Sequence, residues 1–209
     1  MNRRVLLLLA VFILAGLWFG PLPALATRSF SAHMALHMAI VAVAAPLLAL
    51  GVAGSGLDPV RRAPALFPPI PLSLAELAAV WIWHAPALHR FARENAVGFA
   101  AEQGTFLVAG LLVWLSAFGG GVERAQERRG AGIAALLLTS MHMTLLGALL
   151  ALTPRPLYLY MEVCALSPLD DQHLGGALMI FVGGVAYLAG GVWLTVGLLR
   201  HPPYREAVA

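Results

Sequence analysis

Seven histidines are the groups in this 209-residue chain best suited to chemistry, and several are regularly placed. His33 and His37 are four residues apart, which on a helix puts both imidazoles on one face. Each is followed by a methionine, Met34 and Met38, and the combination recurs in Met141-His142-Met143. Imidazole with thioether suits copper, Cu(I) in particular, better than magnesium, calcium or manganese. His84, within Trp81-Ile-Trp-His84-Ala-Pro86, and His173, directly after Asp170, Asp171 and Gln172, bring further imidazoles to the same side of the topology derived below. The expected metal ligands are therefore His33, His37, His84, His142, His173, Met34, Met38 and Met141. Glu102, Asp170 and Asp171 are the carboxylates expected to support them by orienting the ligands. Cys164 is the only cysteine, so an intrachain disulfide and any multi-cysteine zinc or iron–sulfur site are excluded.

Each of these residues also has a plainer reading. Methionine more often fills gaps in a core than binds a metal, and Met141 and Met143 cannot both share the face of His142. Asp170 and Asp171 suit the start of a helix, where the macrodipole favours negative charge, and can also orient His173. His89 and Arg90 read as interfacial loop residues, and Trp81 and Trp83 as an aromatic belt. Ser73-Leu-Ala-Glu76 reads as a capping box, which makes Glu76 structural. The sequence has no G-x-S-x-G, H-E-x-x-H, Walker loop or G-x-G-x-x-G after a strand, so the chain is expected not to be an enzyme.

The elements that must position these residues are transmembrane helices. The chain is 60% hydrophobic and only 11% charged, against roughly 25% charged in a soluble domain. A span needs ~20 apolar residues, and candidate segments lie near 5–20, 32–51, 72–89, 97–118, 131–152 and 172–199. The expected fold is an all-α integral membrane protein, a six-helix bundle, or five helices if the first segment is a cleaved signal peptide. Residues 1–26 fit both descriptions, with Arg3 and Arg4, an apolar run and Ala24-Leu-Ala26 before Thr27. Residues 27–209 form the polytopic domain. Ser167-Pro-Leu-Asp170 supplies a cap, a first-turn proline and an acid that open the last helix, which carries Gly176, Gly183, Gly190 and Gly197 at intervals of seven for close helix packing.

The arginines set the orientation. With the amino terminus inside, Arg3, Arg4, Arg61, Arg62, Arg124, Arg128, Arg129, Arg200 and Arg205 are cytoplasmic, and Arg28, Arg90, Arg93 and Arg155 lie outside. Both termini are then cytoplasmic if the first segment is retained. His33, His37, His84 and His173 fall near the outer ends of three spans, His142 lies at mid-membrane and His201 in the cytoplasmic tail. The arginines form no basic face, so nucleic acid is not an expected partner.

A set of ordered motifs extends this reading. His33-Met-Ala-Leu-His37, Ala45-Pro46-Leu-Leu, Leu50-Gly51, Trp83-His84-Ala-Pro86-Ala-Leu, Thr153-Pro-Arg-Pro-Leu157-Tyr158 and Leu166-Ser-Pro-Leu-Asp170-Asp171-Gln172 resemble the multi-span CtaG family over residues 28 to 200. Those proteins are caa3-type bacterial cytochrome c oxidase assembly factors. Members commonly carry Glu-His in the fourth helix where this chain has Glu102-Gln103, and longer members have seven spans. The resemblance implies a factor of the bacterial plasma membrane that matures a haem–copper oxidase. Copper itself is expected from the histidine and methionine pattern, taken up from a periplasmic carrier and passed to an oxidase subunit with a copper centre. Two other readings stay open: a membrane haem protein, with His37 and His142 as axial ligands, and a scaffold whose histidines only join helices through hydrogen bonds.

Overall fold

The computed structural model describes residues 2–121, 125–158 and 166–200, and every regular element among them is helical. The helices are α1 (Arg3–Phe19), α2 (Leu22–Ala26), α3 (Phe30–Met38), α4 (Ala45–Val52), α5 (Pro59–Arg62), α6 (Pro69–Trp83), α7 (Pro86–Glu94), α8 (Ala96–Phe118), α9 (Ala125–Leu152) and α10 (Pro168–Arg200). A π-helical segment, Ala39–Ala44, joins α3 to α4 in one rod. Large apolar side chains such as Phe12, Leu145, Phe181 and Trp193 face outward, while Glu76, Glu102, Gln103, Thr139 and the core histidines are buried. Polar inside and apolar outside is the distribution expected when the solvent is lipid.

Among the described residues, five helices are long and apolar enough to cross a membrane: Phe30–Val52, Pro64–Trp83, Ala96–Phe118, Gln126–Leu152 and Pro168–Arg200. The all-helical membrane fold stands, while the expected six spans are not confirmed. α1, at 17 residues, is shorter than these and lies against α4 through Leu6, Ala10 and Leu14, a stripe at helical spacing. The expected span 72–89 is corrected. Its helix starts earlier, with Pro68 as N-cap, and ends at Trp83. Ala85 is extended, as the residue before a proline prefers, and Pro86 opens the separate helix α7. Ser73 therefore caps nothing, and the capping-box reading of Glu76 is wrong.

The π segment has a local cause. Its wide turn bonds Ala45 N–H to the Ile40 carbonyl, and the next bond in that pattern would need the N–H of Pro46, which has none. The Val41 carbonyl left over is taken by the indole N–H of Trp114 on α8 at 2.8 Å.

α10 packs along α9 and α3, and α6 packs against α8 and α9. The glycine seam of α10 makes this possible. A Cβ at Gly176 would sit 2.6 Å from the Gly147 carbonyl oxygen of α9, and one at Gly190 would meet the Trp114 ring at 2.7 Å. As the motif indicated, Ser167 caps α10, its hydroxyl accepting from Asp170 N–H at 3.2 Å.

Candidate functional site

Four imidazoles converge near one end of the bundle. His33 and His37 project from α3 one turn apart, His84 ends α6, and His89 comes from α7; all four are buried. Ring centroids lie 5.6 Å apart for His33 and His84, 5.5 Å for His37 and His84, and 4.7 Å for His33 and His89. Two imidazoles whose nitrogens each sit ~2 Å from a shared metal have centroids on the order of 5–6 Å apart. Phe106 of α8 closes the cluster from below, its ring 4.0 Å from that of His37.

Glu102 joins the cluster itself. Its carboxylate lies 3.9 Å from Nδ1 of His33 and 3.9 Å from Nδ1 of His89. His33, His89 and Glu102 each offer one donor atom within 4.8 Å of the others, the grouping among the described residues that could hold a metal ion. Oε2 of Glu102 pairs with Arg93 and accepts from Gln103 Nε2 at 3.0 Å, whereas Oε1 has no hydrogen-bond partner. Gln103, where relatives were expected to carry histidine, is thus a donor that orients this carboxylate.

The hydrogen bonds fix tautomers. His84 Nδ1 sits 2.7 Å from the Val80 carbonyl oxygen, which can only accept, so Nδ1 carries the proton and Nε2 presents a lone pair. That Nε2 is buried without a partner. Arg93 Nη1 donates to Nδ1 of His33 at 3.1 Å, which places the proton of a neutral His33 on Nε2, also unpartnered. Neither nitrogen of His37 nor of His142 has a partner. Burial pushes His84 down to about 4, the Val80 carbonyl opposing and the Arg93 charge reinforcing this. His89 falls to about 2 through burial, with Arg93 and His84 adding to it. Both rings outside the spans are therefore neutral at ordinary pH, the form that ligates metals.

The predicted site residues separate into groups. His33, His37 and His84 come together as expected, and His142 lies close enough to His37 for their charges to interact. Met34 and Met38 are buried, but they turn toward α10: Met34 Cγ lies 3.1 Å from where a Cβ on Gly175 would stand, and Met38 Cε 3.2 Å from one on Gly183. One residue of helix turns a side chain ~100°, which takes the thioethers off the histidine face. Met141 is 61% exposed on the lipid side of α9. His173 donates from Nε2 to the Thr153 carbonyl at 2.9 Å.

The two aspartates do not orient His173. Asp170 accepts from the Ser167 hydroxyl at 2.6 Å. Asp171 caps α3 from across the bundle, accepting from Ser29 Oγ at 2.9 Å, Phe30 N at 2.6 Å, Ser31 N at 3.2 Å and Ser31 Oγ. It thereby anchors the first turn of the helix that carries His33 and His37. Cys164 and His201 lie outside the described residues.

His89 is the residue that the sequence reading missed, having been assigned to an interfacial loop. The signal was the spacing of His89, Ala92 and Arg93, which share one face of α7 while Arg90 and Glu94 take the other. Beside this helix a cavity of about 610 Å³ is lined by Arg28, Pro86, His89, Arg90, Arg93 and Tyr158, so it reaches the edge of the cluster. Tyr158 stacks on Phe30 at 4.5 Å and donates to the His84 carbonyl at 2.6 Å, which pins the end of α6.

A family model described as the cytochrome c oxidase caa3 assembly factor matches residues 1–201. No curated protein and no solved structure matches the chain.

Proposed function

The chain belongs to the cytochrome c oxidase caa3 assembly factor family, and from that premise we propose that it serves oxidase assembly by binding copper and delivering it to an oxidase subunit. The binding groups are His33, His37, His84 and His89 with Glu102, and His142 extends the set inward. The observation that carries this reading is the chemistry of the donors: buried nitrogens of His37 and His84 without a hydrogen-bond partner beside a buried carboxylate whose Oε1 is likewise unpartnered, in a part of the fold where a polar group without a partner costs about 1–3 kcal/mol. A bound cation would satisfy them together.

Copper remains the metal of choice even with the thioethers turned away. Among divalent first-row metals, nitrogen and oxygen sites hold copper most strongly. The cavity beside His89 supplies the route of entry from a periplasmic carrier and of exit to the subunit with the copper centre. Arg93 holds the site before loading, its guanidinium standing between His33 and Glu102. Entry of a cation requires Arg93 to swing toward that cavity, which it also lines. In this reading the histidine end faces the outside of the plasma membrane and the arginine-rich end faces the cytoplasm, with both termini there.

Copper analysis of the detergent-purified full chain tests the proposal. Stoichiometric copper in the wild type, lost in His37→Ala and His84→Ala while His173→Ala keeps it, is the expected pattern. Copper content unchanged by all three variants would overturn it. The optical spectrum of the same sample after haem supply would show a Soret band if the histidines served haem instead.

A further inference from the structure

We propose that the end of the bundle opposite the histidines carries a binding site for a phosphate group, formed by Arg128, Arg129 and the glycine turn 119–121. A cavity of about 250 Å³ opens there between the end of α8, the start of α9 and the last turns of α10, lined by these residues and Trp193. Nε and Nη2 of Arg128 are shielded from solvent and have no hydrogen-bond partner. A guanidinium offers its donors in a rigid fork, which matches the oxygens of a phosphate in pairs. Shielded donors left unpaired are costly, and an anion in this cavity would remove that cost.

The surrounding groups leave the role open to a ligand. Asp58 is the acid whose charge acts on Arg128. Its oxygens are committed to backbone, accepting from Gly54 N at 2.7 Å, Gly120 N at 2.8 Å and Val60 N at 3.0 Å. Arg129 spends Nη1 on the Gly197 carbonyl at 2.7 Å and adds a second positive charge to the same wall. Gly120 has φ +101°, and a Cβ there would lie 2.6 Å from Cζ of Arg128. Glycine is thus favoured by the backbone conformation, and it leaves room for the guanidinium to lie against the turn. The first turn of the 28-residue helix α9 adds the positive end of its dipole.

The position narrows the source of the phosphate. Trp193 is exposed at the rim of the cavity, as an indole is at the level of lipid headgroups. Arg3 of α1 and Arg61 and Arg62 of α5 gather around the neighbouring loop, where Arg3 and Arg61 both donate to the Gly54 carbonyl and Arg62 to that of Gly56. Basic groups of this kind attract anionic lipid. The phosphodiester of an anionic phospholipid and free phosphate share the chemistry that Arg128 would read.

Native mass spectrometry of the detergent-solubilised full chain separates the two sources. The chain is incubated with phosphatidylglycerol, with phosphatidylcholine, or with inorganic phosphate, as wild type, Arg128→Gln and Arg128→Lys. A several-fold preference for phosphatidylglycerol that is abolished by Arg128→Gln and reduced by Arg128→Lys supports a lipid headgroup. A rise in unfolding temperature with inorganic phosphate, absent in the variants and without lipid preference, supports a soluble phosphate. No preference and no response to phosphate in the wild type would overturn the site, as would a preference that both variants keep. Arg128→Lys retains the charge, so it carries the test if Arg128→Gln fails to fold.

Discussion

Arg93 Nη1 stands 3.1 Å from His33 Nδ1, and the same guanidinium is paired with Glu102. A fixed positive charge thus lies against two of the candidate donors, His33 Nδ1 and Glu102 Oε2. Two unit charges ~4 Å apart repel by about 4 kcal/mol at an effective dielectric constant of ~20. A third of that energy is already tenfold in affinity. Arg93→Gln should therefore bind copper at least tenfold more tightly than wild type, measured by titration against a calibrated chelator. Equal or weaker binding would remove Arg93 as the group that opposes loading, while copper binding by the wild type would still stand.

Asp171 ties α10 to the first turn of α3 by bonds to Ser29, Phe30 and Ser31. Loss of an ordinary cap costs about 1 kcal/mol, and bonds to a charged group are stronger. Asp171→Ala should lower stability by roughly 2–4 kcal/mol and also weaken copper binding, because the helix that presents His33 and His37 loses its anchor. Asp170→Ala removes only a local contact with Ser167 and should cost about 1 kcal/mol or less, with copper binding intact. Thermal unfolding in detergent beside metal content measures both, and equal effects of the two variants would contradict the assignment.

How much of this was legible beforehand follows from helix geometry. The pairing of His33 with His37 needed only a spacing of four, and the end of α6 put His84 at the same level. The methionines next to them were misread because adjacency in sequence means separation around a helix, and the glycine seam of α10 drew them away. His89 was hidden by Arg90, Arg93 and Glu94, whose charges look like a loop until Pro86 is seen to open an amphipathic helix. The capping-box pattern at Ser73 fell in mid-helix, since Pro69 and Pro71 had already opened α6, which starts four residues earlier. Asp171 acts across 142 and 141 residues of sequence, on Ser29 and Phe30, and no spacing rule reaches that far.

Glu76 offers a contrasting buried carboxylate. It accepts from Thr139 Oγ1 at 3.1 Å and Tyr187 OH at 3.2 Å, and Ser73 Oγ lies 2.8 Å from Thr139 Oγ1. These bonds join α6, α9 and α10, and Tyr187 in turn stacks on Trp114 at 5.2 Å. Glu76→Ala leaves two hydroxyls without their acceptor and opens a void, so it should destabilise the protein by roughly 2–5 kcal/mol. Glu76→Gln, which keeps an acceptor, should cost about 1–2 kcal/mol. Copper content per folded chain should not change in either variant. A loss of copper without a loss of stability would transfer Glu76 from the framework to the site.

The stability of the metal-free protein should depend on pH through His84. Burial lowers it from the ordinary 6.5 to about 4, so between those values the unfolded chain binds a proton that the folded chain refuses. Stability rises with pH wherever the unfolded state holds more protons. It should therefore be level above about pH 6.5 and fall as the pH drops toward 4. His89 is held lower still, to about 2, so it adds to the same decline and extends it to lower pH. Replacing His84 by glutamine, which cannot take up a proton, should flatten the upper part of the profile. Urea or thermal unfolding in detergent from pH 4 to 8 measures it. A profile in the variant as steep as that of the wild type would show that His84 is not buried as a neutral ring.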